Sequence, residues 1–305
     1  MRSPLDDPQF QSLYEVVAPL GRGGMGEVVR IRHRVWEIDL AAKIPLTSTM
    51  NATGGFPQLR REAETWIRLP NHPNVVTCHY VRMFSDTPVI FIEFVAGGSL
   101  AQAINNGPFK KGAITESLVT QALSITLDIA HGLAHAHAAG VVHQDIKPSN
   151  VLVDEHGAKI TDFGIANLGK SEIGSTDLST IRSHGTMVAT VVGMTPLYAS
   201  PEQIASVRSP GHKEPITRAT DIWSLGLTLL ETLVGKASWQ PGQIDHVLDK
   251  PHASWRDAVE ILARMLAQDP SARPKATEVA SELSALLVKR GVQRTPPSGT
   301  EVRAD

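Results

Sequence analysis

The spacing of apolar residues changes once along the chain, and this change restricts the fold more than any other feature. Before residue 95, short runs rich in β-branched and apolar residues alternate with Gly or charged turns, as in YEVVAPL (14–20), GEVVRIRH (26–33) and EIDLAAKIPL (37–46). After AGGSL (96–100), apolar residues recur at helical spacing. A strand-rich part followed by a helix-rich part predicts an α+β fold with two lobes that join near residues 93–98.

The same patterns predict the individual elements and the domain limits. Further strands are expected around 75–84 and 89–95, and a helix is expected within FPQLRREAETWIRLP, which Pro70 ends. Thr115 is suited to cap a long buried helix, and Gly140 is suited to end it. Later helices are expected at 221–234, 255–267 and 277–288. The predicted organisation is an N-terminal extension (1–13), one domain (14–290, with lobes 14–95 and 96–290) and a flexible tail (291–305).

Composition excludes several classes of function. Cys78 is the single cysteine, so neither an internal disulfide nor a cysteine-built zinc site can form. The net charge of -2 provides no bulk attraction to nucleic acid or to acidic lipid. The longest apolar run, 222–234, contains Glu231 and is shorter than the roughly 20 residues that span a bilayer. With no signal-peptide pattern at the start, we expect a cytoplasmic protein without nucleic-acid binding or membrane insertion.

A glycine-rich stretch, LGRGGMGEV (20–28), lies between the first two predicted strands. Glycine lets a backbone turn sharply and approach phosphates with its N–H groups. An ordinary hairpin turn explains the stretch equally well, because a lone G-x-G-x-x-G is a weak signal. A Rossmann fold requires a helix directly after the glycines, whereas EVVRIRH is typical of a strand. The pattern therefore favours a loop over a nucleotide between two antiparallel strands.

Lys43 ends the run DLAAK and has apolar neighbours on both sides. It is either a solvated residue at a sheet edge or a buried ammonium that needs a carboxylate and an anionic ligand to offset desolvation. Glu62 on the predicted helix can supply the carboxylate. Glu64 is two positions further on and is expected to face away from Glu62.

Two polar motifs, HQDIKPSN (143–150) and ITDFGIA (160–166), flank a predicted hairpin that turns at His156-Gly157. This hairpin would bring Asp145, Asn150 and Asp162 to one edge. Oxygen-bearing side chains of this kind suit Mg²⁺, which takes one or two carboxylates and phosphate oxygens. Capping or turn roles could explain any one of these residues, but they do not explain the ordered set.

Taken in order, these motifs resemble those of eukaryotic-type serine/threonine protein kinases, a class that is common in bacteria. The resemblance covers about residues 14–289 and includes SPE (200–202), DIWSLG (221–226) and Arg273. It implies a small antiparallel N-lobe sheet with one main helix and a larger, mostly helical C-lobe. It also implies a structural ion pair between Glu202 and Arg273.

The resemblance assigns roles to individual residues. Lys43 would bind the α- and β-phosphates of ATP and pair with Glu62, and Asp145 would accept or orient the proton of the substrate hydroxyl. Lys147 would contact the transferred phosphate. Asn150 and Asp162 would bind Mg²⁺, with Mn²⁺ as a substitute. The residues expected to contact the nucleotide are Leu20, Gly21, Arg22, Gly23, Gly24, Met25, Gly26, Glu27, Val28, Ala41, Lys43, Ile92, Glu93, Val95, Asn150 and Asp162.

The expected activity is transfer of the γ-phosphate of ATP to Ser and Thr hydroxyls of proteins, with autophosphorylation, for which a dimer is allowed. A pseudokinase scaffold would keep the fold without transferring phosphate, but it usually lacks the lysine, a metal ligand or the catalytic aspartate. A small-molecule phosphotransferase is a weaker alternative, since SPE and DIWSLG resemble the substrate lobe of protein kinases. His131 and His135 are four positions apart, yet no third metal ligand accompanies them.

One departure from the family concerns regulation. Most kinases carry Arg at the position of Gln144, where it pairs with a phosphate on the activation loop; glutamine cannot form that charge-assisted bridge. We therefore expect the active form not to depend on a loop phosphate bound through this residue. The segment from Asp162 to Glu202 is 41 residues long and contains many Ser and Thr residues, so autophosphorylation there remains an expectation.

Overall fold

The computed structural model describes residues 3–23, 26–45, 63–110, 114–163, 197–208, 216–235 and 244–294. The chain divides into two compact units. The first contains Met1–Asn71, Val76–Phe94 and Phe163–Met194, and the second contains His72–Val75, Val95–Asp162 and Thr195–Asp305. Each unit is described by itself below.

The first unit is built on a five-stranded sheet in the order β1-β2-β3-β5-β4, with antiparallel neighbours. Its strands are β1 (Tyr14–Gly23), β2 (Gly26–His33), β3 (Asp39–Pro45), β4 (Cys78–Phe84) and β5 (Thr87–Glu93). A short helix, α1 (Pro8–Leu13), precedes the sheet, and residues 63–67 are helical. The strand pattern of the sequence is confirmed in this unit.

The segment before β1 belongs to the core of the first unit, although the sequence predicted only an extension there. Phe10 on α1 is 0 % exposed and packs its ring edge-on against Phe84, with ring centroids 5.2 Å apart. Asp7 caps α1 by accepting from Gln9 N at 2.8 Å, and its other carboxylate oxygen accepts from Ser85 N at 2.8 Å. The cap therefore ties α1 to the turn between β4 and β5.

The second unit is mostly helical. Its helices are α2 (Leu100–Asn106), α3 (Glu116–Ala138), α4 (Pro201–Arg208), α5 (Arg218–Val234), α6 (Ile244–Asp249), α7 (Val259–Met265) and α8 (Ala276–Lys289). It also contains a two-stranded antiparallel hairpin of β6 (Val151–Asp154) and β7 (Gly157–Ile160) and the 3-10 turns Pro148–Asn150, Ala253–Ala258 and Pro270–Ala272. The long helix α3 packs against α5, α8 and β7.

Local sequence explains where these helices begin and end. Thr115 caps α3 by accepting from Leu118 N at 3.2 Å, and Gly140, with φ +78°, follows the C-cap residue Ala139. Both signals were read correctly from the sequence. The helix predicted at 255–267 is wrong in detail: Ala253–Ala258 is a 3-10 turn in which Trp255 has the non-helical φ of -129°, and α7 begins only at Val259.

The predicted α+β organisation, a sheet followed by a helical part, is confirmed. In the described parts of the chain, no helix combines the length and the apolar character that crossing a membrane requires.

Candidate active site

Asp145 is the centre of a polar cluster in the loop before β6. It is 6 % exposed, and its Oδ2 accepts from Lys147 Nζ at 2.6 Å and from Asn150 Nδ2 at 2.9 Å. No donor among the described residues reaches its other oxygen, Oδ1. A carboxylate held through one oxygen and open at the other can accept a proton from a hydroxyl that comes within hydrogen-bond distance.

The orientation of Asn150 follows from its partners. Its Nδ2 donates to both the Oδ2 and the backbone carbonyl of Asp145, each at 2.9 Å. Because both partners are acceptors, the amide nitrogen must face them, which leaves Oδ1 as an oxygen ligand. Asn150 is the last residue of the 3-10 turn Pro148–Asn150, and β6 begins at the next residue. The hairpin therefore fixes the position of Asn150.

The hairpin also determines where Asp162 lies. Val151 pairs with Ile160, and Thr161 N donates to Asn150 O at 3.0 Å, so Asp162 follows the strand that lies beside Asn150. Asp162 has a left-handed φ of +68°, a conformation that non-glycine residues adopt at a cost. The predicted approach of Asn150 and Asp162 at one end of the hairpin is thus what the strand register produces.

A buried aspartate on α5 holds the loop from behind. Asp221 accepts from His143 N at 2.9 Å, from Gln144 N at 2.7 Å and from His137 Nε2 at 2.8 Å. Gln144 has a left-handed φ of +68°. Two backbone N–H bonds to one fully buried carboxylate offset that strain and fix the residue before Asp145.

His143 is not available as a base. Its Nδ1 accepts from Asp145 N at 3.3 Å, and its Nε2 lies 2.8 Å from Thr161 O. A ring nitrogen that accepts from an N–H is unprotonated, so Nε2 carries the proton and donates it to the carbonyl. The ring therefore links the loop to the end of β7.

The segment before and within α4 contacts the same loop. Gln203 donates to Gln144 O at 2.9 Å and accepts from Ser200 N at 3.0 Å. The neighbouring Glu202 forms a buried ion pair with Arg273 at 2.8 Å, as expected from the sequence. Within the second unit, residues 200–203 thus connect the Asp145 loop to the buried pair.

The glycine-rich stretch forms the end of the β1-β2 hairpin, where Gly23 pairs with Gly26. A Cβ on Gly26 would lie 2.1 Å from Ile44 O, so packing against β3 requires a glycine at this position. A Cβ on Gly21 or Gly23 would meet nothing within 4 Å, so the space beside them is open to a ligand. Gly24 and Met25 lie outside the described residues.

Lys43 is buried, 7 % exposed, in the middle of the sheet, which excludes the solvated-edge interpretation. On β3, it lies opposite Val28 of β2 on one side and Ile90 of β5 on the other. Glu62, its predicted carboxylate partner, lies outside the described residues. Ala41 and Ile92, two predicted nucleotide contacts, face each other across β3 and β5.

Glu93, the last residue of β5, and Val95, two residues later, were predicted to contact the nucleotide. Glu93 N donates to Thr77 O at 2.9 Å, so this N–H is already used within the first unit. Val95 is buried and follows β5 by two residues. Phe163, after Asp162, is fully buried and its ring centroid lies 6.2 Å from that of Trp66 in the first unit.

The donor set fits a divalent cation of the magnesium type. Among the described residues, no group of three or more His, Cys, Asp or Glu side chains is arranged to hold a metal. Mg²⁺ does not need such a cage, since it takes one or two protein oxygens and completes its shell with phosphate and water. The ring of His135 stacks on that of His72, with ring centroids 4.7 Å apart.

Three residues that hold the site had no such role predicted from the sequence: Asp221, His137 and Gln203. Asp221 lies in the motif DIWSLG, but that pattern does not identify its partners, which are the backbone N–H groups of His143 and Gln144. Gln203 had no signal either, because its partner is a backbone carbonyl.

The comparisons with known proteins agree with these observations. Residues 14–283 match the protein kinase domain family. The serine/threonine-protein kinase SSK22 of Saccharomyces cerevisiae is 31% identical over 283 residues, which are 85% of this chain and 20% of that protein. The serine/threonine-protein kinase PrkC of Bacillus subtilis is 32% identical over 225 residues, which are 73% of this chain and 30% of that protein. The chain thus spans less than a third of the length of either relative.

The solved kinase domain of Mycobacterium tuberculosis PknI has the same fold, with a TM-score of 0.65 at 21% identity over 93% of this chain and 99% of that one. The two-lobed kinase fold that the sequence predicted is therefore confirmed. The family match extends over most of the chain. Within it, the glycine-rich turn, the polar loop and the β6-β7 hairpin follow one another in the expected order. The chain belongs to the protein kinase family, in the eukaryotic-type serine/threonine class that also occurs in bacteria.

Proposed function

We propose that this chain is an active serine/threonine protein kinase domain, which transfers the γ-phosphate of ATP to hydroxyl groups of proteins. The observation that carries the proposal is the hydrogen-bonded cluster of Asp145, Lys147 and Asn150. It places a proton acceptor, a cation and an oxygen ligand on one loop, and phosphoryl transfer needs these three kinds of group.

In this proposal Asp145 orients the substrate hydroxyl and accepts its proton at Oδ1. Lys147, which donates to Oδ2 at 2.6 Å, keeps that carboxylate oriented and supplies positive charge beside it. Phosphoryl transfer gains most of its rate from such positioning and charge neutralisation, because the loose transition state leaves little covalent chemistry to the protein.

For the nucleotide, the proposal takes over the roles that the kinase resemblance implies. Lys43 would bind the α- and β-phosphates, with Glu62 as its partner, and the backbone of Gly21 and Gly23, beside which there is open space, would lie over the phosphates. Asn150 and Asp162 would hold Mg²⁺. When bound, Mg²⁺ neutralises charge on the phosphate oxygens. The remaining predicted nucleotide contacts, from Leu20 to Val28 and at Ala41, Ile92, Glu93 and Val95, belong to the same proposal.

Preference for Ser and Thr over Tyr rests on the form DIKPSN, in which Lys147 is similar to the serine/threonine class. The pseudokinase alternative is disfavoured because Lys43, Asp145, Asn150 and Asp162 are all present. A kinase domain over 14–290, a cytoplasmic location, and a dimer for autophosphorylation remain predictions.

Transfer of radiolabelled phosphate from ATP tests the proposal. The purified chain is incubated with Mg²⁺ and a generic protein substrate, and the product is analysed for phosphoamino acids. We expect phosphoserine and phosphothreonine from the parent and about 1 % of that amount or less from Asp145→Asn. No transfer to itself or to any substrate would favour the scaffold, and phosphotyrosine alone would overturn the assignment of substrate hydroxyl.

A further inference from the structure

Strand β7 is an edge strand whose outer edge is covered by groups from elsewhere in the second unit. Its only sheet partner in the described hairpin is β6. On the opposite side, Ala158 N donates to Asp128 Oδ2 at 3.0 Å, and Ala158 O accepts from Asn74 Nδ2 at 3.0 Å. Ile160 N donates to Asn74 O at 2.9 Å. These bonds satisfy the strand edge and fix β7 in place.

The position of β7 matters because the strand leads directly into the metal-binding residues of the proposed kinase site. Two residues separate Ala158 from the last contact of the hairpin, where Thr161 N donates to Asn150 O at 3.0 Å. Asp162 follows immediately. A shift of β7 therefore moves the backbone of both Asn150 and Asp162.

Asp128, which holds Ala158, is a buried carboxylate on α3. Burial raises the pKa of Asp128, and the guanidinium of Arg294 opposes that rise. Arg294 Nη1 lies 3.0 Å from Asp128 Oδ1 and donates to Ser124 O at 3.0 Å. In the part of the chain that the structure describes, Arg294 is the ion-pair partner of Asp128. The charge of Arg294 favours the ionised form of Asp128, which is the stronger acceptor for Ala158 N.

The end of α8 brings Arg294 to this place. Gly291 has φ +78°, and the bonds from Gly291 N to Val288 O and from Val292 N to Leu287 O, both 2.9 Å, close the helix and turn the chain. At the hairpin, Gly157 has φ +131°, and a Cβ there would lie 2.6 Å from Asp128 Oδ2 and 3.3 Å from Arg294 Nη2. The glycines at 157 and 291 therefore allow the chain to come close to the Asp128–Arg294 pair on both sides.

We propose that Arg294 is a positioning residue: by pairing with Asp128 it fixes the outer edge of β7 and thereby sets Asn150 and Asp162 for the metal ion. Its catalytic consequence rests on the proposed kinase function, whereas its effect on the hairpin does not. Residues 290–294, which follow α8, are thus part of the structure that holds the site, although Arg294 contacts none of the proposed reacting groups.

The test compares Arg294→Ala and Arg294→Lys with the matched control Arg290→Ala. Arg290 leaves the same helix end but pairs with Asp257 and Glu116. Hydrogen–deuterium exchange of peptides covering 151–163 is measured without nucleotide. We expect exchange in Arg294→Ala to be about tenfold faster than in the parent, which corresponds to the loss of one charge-assisted bond. Arg290→Ala should match the parent in these peptides, and Arg294→Lys should recover part of the protection.

The second readout is the Mg²⁺ concentration that gives half-maximal phosphate transfer at saturating ATP. For Arg294→Ala we expect a rise of roughly three- to tenfold, with the rate at saturating Mg²⁺ close to the parent. If Arg294→Ala only reduced the fraction of folded protein, the amount of active protein would fall but the Mg²⁺ concentration for half-maximal transfer would not change. If Arg294→Ala does not fold, Asp128→Asn gives both readouts, because it keeps an oxygen for Ala158 and removes the charge.

Unchanged exchange in 151–163 would overturn the role of Arg294, and so would an unshifted Mg²⁺ dependence in an active variant. If the parent transfers no phosphate, the kinase function fails by itself, and the exchange data alone then decide whether Arg294 fixes the hairpin.

Discussion

Glu202 and Arg273 are 71 positions apart in the sequence and bind each other through two hydrogen bonds of 2.8 and 2.9 Å, with both side chains buried. Arg273 also donates to Ala219 O and Ala267 O, and its guanidinium lies 5.1 Å from the centre of the Trp223 ring. Burial acts to raise the pKa of Glu202, but the bonds from Arg273 and Thr220 outweigh it and lower that pKa. The pair anchors residues 200–203, which in turn contact Gln144.

Replacing Arg273 with Ala should destabilise the second unit by about 3–5 kcal/mol, because it leaves the Glu202 carboxylate buried without its cation. Urea denaturation followed by circular dichroism measures the change. Arg264→Ala is the matched control, since Arg264 forms a partly exposed pair with Glu282 that is worth about 0–1 kcal/mol. Equal losses in the two variants would contradict the structural role of the buried pair.

Replacing Asp145 with Asn should lower kcat by about two to four orders of magnitude, because the amide cannot accept the substrate proton. The shape of the side chain is retained, so the unfolding temperature should change little. The control is Glu155→Gln, which neutralises an exposed carboxylate in the nearby β6-β7 turn. Steady-state kinetics with saturating ATP would refute the assignment if Asp145→Asn retained the parent rate.

The two ends of the glycine-rich hairpin should respond differently to alanine. Gly26→Ala places a Cβ 2.1 Å from Ile44 O, so we expect a loss of more than about 1 kcal/mol in stability and a lower unfolding temperature. Gly23→Ala meets no protein atom within 4 Å, so the unfolding temperature should stay near the parent while the KM for ATP rises. Thermal unfolding and ATP titration distinguish the two effects, and the reverse pattern would disprove this division of roles.

Acid should destabilise the protein through His72. Burial, assisted by the nearby His135, His131 and Lys159, lowers the pKa of His72 to about 4, and its Nδ1 accepts from Asn74 N at 3.1 Å. The unfolded state therefore binds the extra proton between about pH 6.5 and pH 4, and stability is lost as the pH falls through that window. Below about pH 4, the full loss in the free energy of unfolding that is caused by His72 is about 3 kcal/mol.

His72→Asn is the variant that isolates this effect, because its amide oxygen can accept from Asn74 N but does not titrate. Free energies of unfolding measured at several pH values should show a smaller acid loss in the variant than in the parent. Parallel curves for the two proteins would show that His72 does not carry the dependence.

Basal activity should survive removal of phosphate from the protein, because the neutral Gln144 cannot form a charge-assisted bridge to a loop phosphate and its backbone is held by bonds from other residues. Asp221 accepts from Gln144 N at 2.7 Å, and Gln203 donates to Gln144 O at 2.9 Å. Phosphatase treatment, checked by mass spectrometry, should leave the rate within about twofold, whereas Gln203→Ala should lower it several-fold, as expected when one buried hydrogen bond is lost. Abolition of activity by phosphatase would count against this hypothesis.

Several parts of the site could be predicted because they depend on local spacing. A strand, a tight turn and a returning strand place Asn150 beside Thr161 whatever surrounds them, so the position of Asp162 followed from HQDIKPSN, ITDFGIA and the hairpin between them. The break between the 3-10 turn and α7 could not be seen, since both kinds of helix bury apolar residues at nearly the same period. The deviation at Trp255 is a backbone property that the pattern does not encode.

The sequence by itself determined the order of sheet and helices, the glycine-rich turn and the set of polar residues available for phosphoryl transfer, because each is a matter of neighbouring residues. The tertiary structure alone decided that Lys43 is buried, that Phe10 belongs to the core and that Gly26 is required by β3. It also decided that Asp221 and Arg294 support the site. Their partners are backbone groups or residues far away along the chain, and every residue type carries the same backbone, so no pattern of side chains could identify these contacts in advance.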